Sequence, residues 1–362
     1  MVQNYEKNVK EEKKHERYMS RCLDLALLGL GSTVPNPMVG SVIVHQDRII
    51  GEGYHREYGG PHAEVNAVNA VAEKSLLADS VLYVNLEPCS HTGKTPPCAD
   101  MIIRCGIHQV VIGTSDPNPL VAGRGIEKLT KAGISVISNI IPEKCQYLNR
   151  RFFIFHTCRR PFVILKWAQT QDGFMDILRE NREIAEPNWI SNEISRMIVH
   201  EWRSEEQAIL VGTNTAFLDN PRLNVREWPG RSPVRMVIDK MGRLPSNLHI
   251  FDNSCKTLIF NALKDGQDRE NHYIQLDFGK NIIPQLLNKL FQQGIQSLMV
   301  EGGRKLLDSF LETGFWDEAR VFTGQKSFGS GISAPVIRGI DPEEHRIRED
   351  RLWIYRNAWT ME

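Results

Sequence analysis

The stretch "VLYVNLEPCSHTGKTPPCADMIIRCGI", residues 81–107, decides the fold class. Its front, Val81 to Leu86, is β-branched and apolar, which predicts a strand. Its back, from Ala99, predicts a helix. Between them runs a loop of Ser, Thr, Gly and Pro bracketed by Cys89 and Cys98. Pro96 and Pro97 preset the turn that opens the helix, so Cys98 is expected in its first turn. A helix N-terminus favours the thiolate, which is the form that binds metal.

The same alternation extends outward. "GGPHAEVNAVNAV", residues 59–71, opens on Pro61 and repeats valine at 65, 68 and 71, so a buried helix is expected with His62 and Glu64 in its opening turn. Before it come a helix over Tyr18–Leu30 and strands around Val39–His45 and Ile49–Tyr54. After the central stretch come a strand at Val110, a helix over Gly123–Gly133 and a strand at Ile134. Strands and helices in this order predict a three-layer α/β/α sheet.

A lone histidine at a helix start is ordinarily a satisfied polar end. Here it has company. Zinc takes thiolates and imidazoles, and a catalytic zinc keeps three protein ligands and one open position. His62, Cys89 and Cys98 make such a set. Glu64, two residues after the histidine, could stand beside the metal without binding it, as general acid and base. His62-Ala63-Glu64 and Pro88-Cys89 match the H-x-E and P-C parts of the zinc deaminase signature, although eight residues rather than two separate the cysteines. In the loop between the two cysteines, His91 and Lys94 suit a small phosphate, with Lys94 as a point charge.

Composition narrows the class. The chain has 362 residues, enough for two cores, with 44 basic and 44 acidic side chains. That balance argues against a nucleic-acid partner. Seven scattered cysteines argue against a disulfide framework. The first eighteen residues are charged and do not resemble a secretory signal, reading instead as a solvated arm or a frayed helix start. No apolar run reaches transmembrane length. A cytoplasmic protein with no membrane partner is expected. The divisions expected are a charged arm (1–16), a zinc deaminase domain (17–145), a basic–aromatic helical connector (146–160) and a second domain (161–362).

The second domain opens on "PFVILKWAQTQDG" (161–173), a buried strand. Near its end, "SLMVEGGRKLLDSFLETGFWDEARVF" (297–322) runs from a strand through Glu301-Gly302-Gly303 into a helix. Such a turn is a phosphate cradle, because main-chain N–H groups and the helix dipole favour anions. Glycines also make such turns with no ligand, and the run is not G-x-G-x-x-G.

H-A-E followed by "EPCSHTGKTPPC" resembles the deaminase half of the bifunctional deaminase–reductase family of riboflavin biosynthesis. "NPMVG" (36–40), "GYHREYGGPHAE" (53–64) and "DPNPLVAGRGIEKLTKAGI" (116–134) are similar to that family's other marks. The order of segments from 161 resembles its reductase half, best over 161–226 and 297–322. The resemblance implies a cytidine-deaminase-like domain followed by a dihydrofolate-reductase-like domain. It implies Asn36 and His55 as substrate contacts in the first. In the second it implies cofactor contacts at Ala168, Trp189, Thr215 and Asp219, a pyrophosphate turn at Gly302, Gly303 and Arg304, and substrate contacts at Arg203, Leu223, Arg226 and Glu301. Lys166 is expected to polarise or protonate the reacting centre, and Arg203 with Arg226 to grip a 5′-phosphate.

The implied function is zinc-dependent deamination of a diaminopyrimidinone ribosylamino phosphate, then NADPH-dependent reduction of its ribosyl group to ribityl. A homodimer or tetramer is implied. Three departures stand out: Pro187 where the family has a substrate-binding serine, Thr170 in "TQDG", and a longer run between Asp172 and Trp189. The rival readings are a zinc deaminase of another base or of RNA with a degenerate second domain, and a binding protein with one inactive half.

Overall fold

The computed structural model describes residues 2–91, 96–119, 121–178 and 188–357. Two compact units divide the chain, Met1–Arg159 and Arg160–Glu362.

In the first unit α1 (Val2–Leu27) leads into β1 (Gly40–His45), β2 (Arg48–Tyr54), α2 (Ala63–Ala70), β3 (Val81–Val84), α3 (Cys98–Arg104), β4 (Gln109–Ile112), α4 (Arg124–Lys131), β5 (Ser135–Ile137), α5 (Pro142–Leu148) and α6 (Arg150–Cys158). The helix expected from Tyr18 thus begins at Val2. Near its middle Lys14 pairs with Asp47 at 2.5 Å and the His15 ring meets the Tyr83 hydroxyl at 3.0 Å. The segment expected as a connector is helical and packs through Phe152 and Phe153 on Leu86.

The sheet order is β2-β1-β3-β4-β5, with β1 antiparallel to both neighbours and β3, β4 and β5 parallel. The β1–β2 hairpin closes through Gln46 and Asp47, both at positive φ, the two-residue turn whose twist suits paired strands. Side chains alternate across the sheet. Val42, Val44, Tyr83 and Val111 meet Met19 and Cys22 of α1 on one face. Ile43, Leu82, Val84 and Val110 meet Ala67, Val68, Ala99, Ile102 and Leu129 on the other. This period of two makes the three expected layers.

The second unit runs β6 (Phe162–Gln169), β7 (Phe174–Asp176), α7 (Glu193–Glu205), β8 (Ala208–Gly212), α8 (Thr213–Leu218), β9 (Val234–Ile238), β10 (Thr257–Asn261), β11 (Gly266–Asp268), β12 (Asn271–Gln275), α9 (Ile282–Gln292), β13 (Ser297–Val300), α10 (Arg304–Thr313), β14 (Glu318–Thr323), β15 (Ile332–Ser333), β16 (Glu343–Ile347) and β17 (Asp350–Arg356). Its ten-stranded sheet has the order β11-β12-β10-β9-β8-β13-β6-β14-β17-β16. From β12 to β14 neighbours are parallel; β11, β17 and β16 join antiparallel at the margins. Leu210, Met236 and Leu258 pack on α9 and α10, whereas Ile209, Val237 and Ile259 face Ala216, Leu223 and Ile250. Strands buried on both faces read as continuous apolar runs. The carboxyl ends of β6, β8 and β13 therefore meet α8 and α10, which places a crevice there.

No helix among the described residues is long and apolar enough to cross a membrane.

Candidate active sites

In the first unit two helix starts converge. His62 is the N-cap of α2, and Pro61 stands just outside the helix. Pro97 is the N-cap of α3, which puts Cys98 at its first position. His62 Nδ1 lies 3.5 Å from Cys89 Sγ and 3.3 Å from Cys98 Sγ. The Cys98 main-chain N–H donates to Cys89 Sγ at 3.3 Å. The three ligand atoms fall within 4.8 Å of one another, and among the described residues they are the set of His, Cys and carboxylate groups that could hold a metal. Tetrahedral zinc with ordinary bond lengths would separate a nitrogen and a sulfur ligand by about 3.5 Å, so the donors fit it.

The charges fit as well. Donation from the Cys98 thiol, and from His62, holds the Cys89 thiol at about 4 in spite of its burial, while the shared proton and burial keep Cys98 well above its ordinary value. A thiol pulled toward its thiolate form suits a cation there. Glu64, in the first turn of α2 and 3% exposed, is not one of the three. Burial, and then the Cys89 charge, lifts its carboxyl to about 7. A dication at the ligands would oppose that rise.

Asn36 and His55 meet each other beside this cluster. His55 Nδ1 lies 3.0 Å from the Pro61 carbonyl and Nε2 lies 3.0 Å from Asn36 Nδ2. Its ring stands edge-on to His62, with centroids 5.4 Å apart. A carbonyl can only accept, so Nδ1 carries the proton and Asn36 donates to Nε2. His55, expected as a substrate contact, thus has both nitrogens occupied within the chain. His91 is exposed; Lys94 lies outside the described residues. Near His91, burial lifts the Asp116 carboxyl to about 6, with His91 opposing the rise.

Sequence reasoning passed over Glu87, two residues before Cys89. It is 4% exposed and accepts from four main-chain N–H groups: Asp116 and Gly123 on Oε2 at 3.2 and 3.0 Å, Gly125 and Ile126 on Oε1 at 2.8 and 3.2 Å. One carboxylate therefore ties the Cys89 loop to the start of α4. A Cβ at Gly125 would sit 2.1 Å from the Pro88 carbonyl, so only glycine fits there. Glu87→Gln turns an amide NH₂ against N–H donors. It is expected to destabilise the first unit by about 2–3 kcal/mol, seen as a lower denaturant midpoint for that unit's transition with the second unit's unchanged.

The second unit encloses a cavity of about 830 Å³. Lys166 and Ala168 of β6, Trp189, Thr215 and Asp219 of the α8 region, and Glu301, Gly302, Gly303 and Arg304 all line it. Gly302 has no space for a side chain, since a Cβ would meet Val211 atoms at 2.9 and 3.0 Å. Gly303, at φ 68°, caps α10. This is an anion cradle at a ten-residue helix. The Arg304 guanidinium is engaged elsewhere, donating to Ser333 O and Oγ at 2.7 and 2.8 Å, so the turn offers an anion its main chain.

Three expected substrate contacts lie outside the cavity lining. Arg203 spends Nε and Nη2 on Glu301 at 2.7 and 2.8 Å, because a buried guanidinium beside a buried carboxylate pairs with it. The grip on phosphate expected of Arg203 would have to form from a guanidinium already paired with Glu301. Leu223 buries its side chain among Ile209, Val211 and Leu248, which leaves only its main chain for a ligand. Arg226 stays partly exposed, held loosely by Asn224 Oδ1 at 3.3 Å. Lys166 Nζ stands 3.7 Å from Glu301 Oε2. Burial alone would raise the Glu301 carboxyl, but Arg203 and Lys166 hold it at about 2. Burial lowers Lys166, with Glu301 opposing. Asn188, Ser191, Asn214 and Ser309 also line the cavity and carried no signal in the sequence. Pro187 lies outside the described residues.

Known proteins match both units. Residues 12–114 match the cytidine and deoxycytidylate deaminase zinc-binding region, and residues 161–360 match the RibD C-terminal domain. The riboflavin biosynthesis protein RibD of Aquifex aeolicus is 40% identical over 344 residues, covering 93% of this chain and 94% of that one. The Escherichia coli RibD is 36% identical, over 87% and 89%. Among solved structures, a Thermotoga maritima diaminohydroxyphosphoribosylaminopyrimidine deaminase/5-amino-6-(5-phosphoribosylamino)uracil reductase superposes with a TM-score of 0.85 at 35% identity, covering 96% of this chain and all of that one.

Proposed function

The chain belongs to the RibD family of riboflavin biosynthesis proteins, and from that premise we propose how its residues perform the two reactions. It is a zinc-dependent deaminase joined to an NADPH-dependent reductase. The first unit deaminates 2,5-diamino-6-(5-phosphoribosylamino)pyrimidin-4-one, and the second reduces the ribosyl side chain, giving 5-amino-6-(5-phosphoribitylamino)uracil.

The observation that carries the reading is the convergence of His62, Cys89 and Cys98 with a fourth, buried carboxyl left over. Those three residues would hold zinc, which when bound supplies Lewis-acid activation of the attacking water. Glu64 takes a proton from that water and delivers one to the departing amine, releasing ammonia. Asn36, fixed by His55, presents its carbonyl oxygen to a donor on the pyrimidine. His91 and Lys94 serve the 5′-phosphate. Lys94→Ala is expected to raise KM for the phosphorylated substrate far more than for its dephosphorylated nucleoside. Equal effects on both would remove the phosphate role.

In the second unit the Gly302–Gly303 cradle, Ala168, Trp189, Thr215 and Asp219 would hold NADPH, which when bound supplies the hydride. Lys166 protonates the reacting centre, held by Glu301, and Arg226 takes the substrate phosphate. The missing hydroxyl at Pro187 costs about 1 kcal/mol of binding and leaves turnover in place.

A deaminase of another base or of RNA with a degenerate second unit is not favoured, because the second unit matches its family along its length and retains the cradle. Self-association into a dimer or tetramer and a cytoplasmic location complete the reading. The deciding experiment gives the purified chain the diamino substrate with and without NADPH, together with metal analysis. Ammonia release without NADPH, NADPH oxidation after deamination and one zinc per chain are expected. Ammonia release without NADPH oxidation would remove the second activity.

A further inference from the structure

We propose that His200 is a positioning residue of the reductase site, fastening the segment that carries Arg226 through the Arg226 main chain. This rests on the reading of Arg226 as the phosphate contact. His200 is 3% exposed, in α7, one turn before Arg203. Its Nδ1 accepts the Arg226 main-chain N–H at 3.3 Å. The ring proton therefore sits on Nε2, which faces Glu227 Oε1 at 3.7 Å. One turn later Arg203 Nη1 donates to the Asn224 carbonyl at 3.3 Å while its fork holds Glu301. Residues three apart lie on one face of a helix. A single face of α7 thus fixes the 224–226 main chain and the acidic group of the cavity wall against each other.

The rest of the segment depends on those ties. Leu223 anchors it from the other end, buried and at φ 52°. Among the described residues the Arg226 side chain has weak holds of its own, Asn224 Oδ1 at 3.3 Å and Glu227 Oε1 at 3.6 Å. Where its guanidinium can reach is set by where its main chain is held. The neutral ring is what this requires, since a protonated Nδ1 could not accept. Burial, Arg203 and Arg226 pull His200 down to about 4, with Glu227 and Glu301 opposing.

The test compares His200→Leu with His200→Asn in the full, zinc-loaded chain. An asparagine Oδ1 can take the place of Nδ1 as acceptor; leucine cannot. In His200→Leu the Arg226 amide should exchange faster with solvent. KM for the deaminated substrate should rise about tenfold, with kcat, NADPH affinity and ammonia release within about twofold of wild type. His200→Asn should restore both amide protection and KM. Unchanged exchange in His200→Leu overturns the proposal. So does an asparagine variant as defective as leucine, or a joint fall in kcat and NADPH affinity. A wild type that oxidises no NADPH would sink the functional reading, and the exchange pair would still decide the place of His200.

Discussion

Glu64→Gln is expected to retain zinc and lose deamination by at least about 10²-fold, up to about 10⁴-fold, the contribution usual for a positioned proton-transfer group. The amide has nearly the same shape, and the carboxyl it replaces lies in the first turn of α2, 3% exposed. The metal should stay because its donors are His62 Nδ1, Cys89 Sγ and Cys98 Sγ, none of which the change replaces. The substitution removes only the ability to take and return a proton. Cys98→Ser is the contrast: it exchanges a soft donor at the start of α3 for a hydroxyl and should lose the metal together with activity. Ammonia release and zinc content, measured on both variants, separate the two roles. Normal turnover in Glu64→Gln would end the assignment of Glu64 as the proton carrier.

The first site was legible because its chemistry is local. Two of the three ligands stand at helix starts that proline marks, at His62 after Pro61 and at Cys98 after Pro97; Cys89 follows Pro88 in the loop between them, and the residue types are those zinc selects. The sheet of the first unit was legible for a similar reason, since its strands are short apolar runs between clear turns. What escaped depends on partners distant in sequence. Glu87 reads as an ordinary loop carboxylate until Asp116 to Ile126 fold over it. Arg203 reads as a phosphate contact, and nothing local shows that Glu301 meets it from 98 residues away. Asn36 and His55 read as two separate substrate contacts, yet they hydrogen-bond to each other. Residues 230–296 were hidden differently. Arg235 interrupts the apolar run of β9, and only in the fold is it buried, bonded to Thr257 Oγ1, the His249 carbonyl and Asp252. The early start of α1 was obscured by charge, because a helix rich in Lys and Glu looks like a solvated arm until its later turns pack.

Glu301→Gln is expected to abolish reduction and to destabilise the second unit by about 3–5 kcal/mol, the usual cost of removing one member of a buried ion pair. Glu301 is the shared counter-ion of Arg203, at 2.7 and 2.8 Å, and of Lys166, at 3.7 Å. Arg203 cannot shed its proton, so without the carboxylate it remains a buried, uncompensated charge. Lys166 loses the group that opposes its desolvation and shifts further toward its neutral form, which weakens the proton donor assigned to the reacting centre. The effect should depend on pH. Glu301 is held at about 2 in the fold against an ordinary 4.5. The stability it contributes is therefore complete above about pH 4.5 and is lost as pH falls toward 2. The gap between wild type and Glu301→Gln should be widest near neutrality and close in acid. Ammonia release and zinc content belong to the other unit and should not change. NADPH oxidation with the deaminated substrate, and denaturant unfolding at several pH values, provide the check. A variant with wild-type reductase turnover and no pH-dependent stability gap would show that the Arg203–Glu301–Lys166 triad neither holds the site nor serves the chemistry.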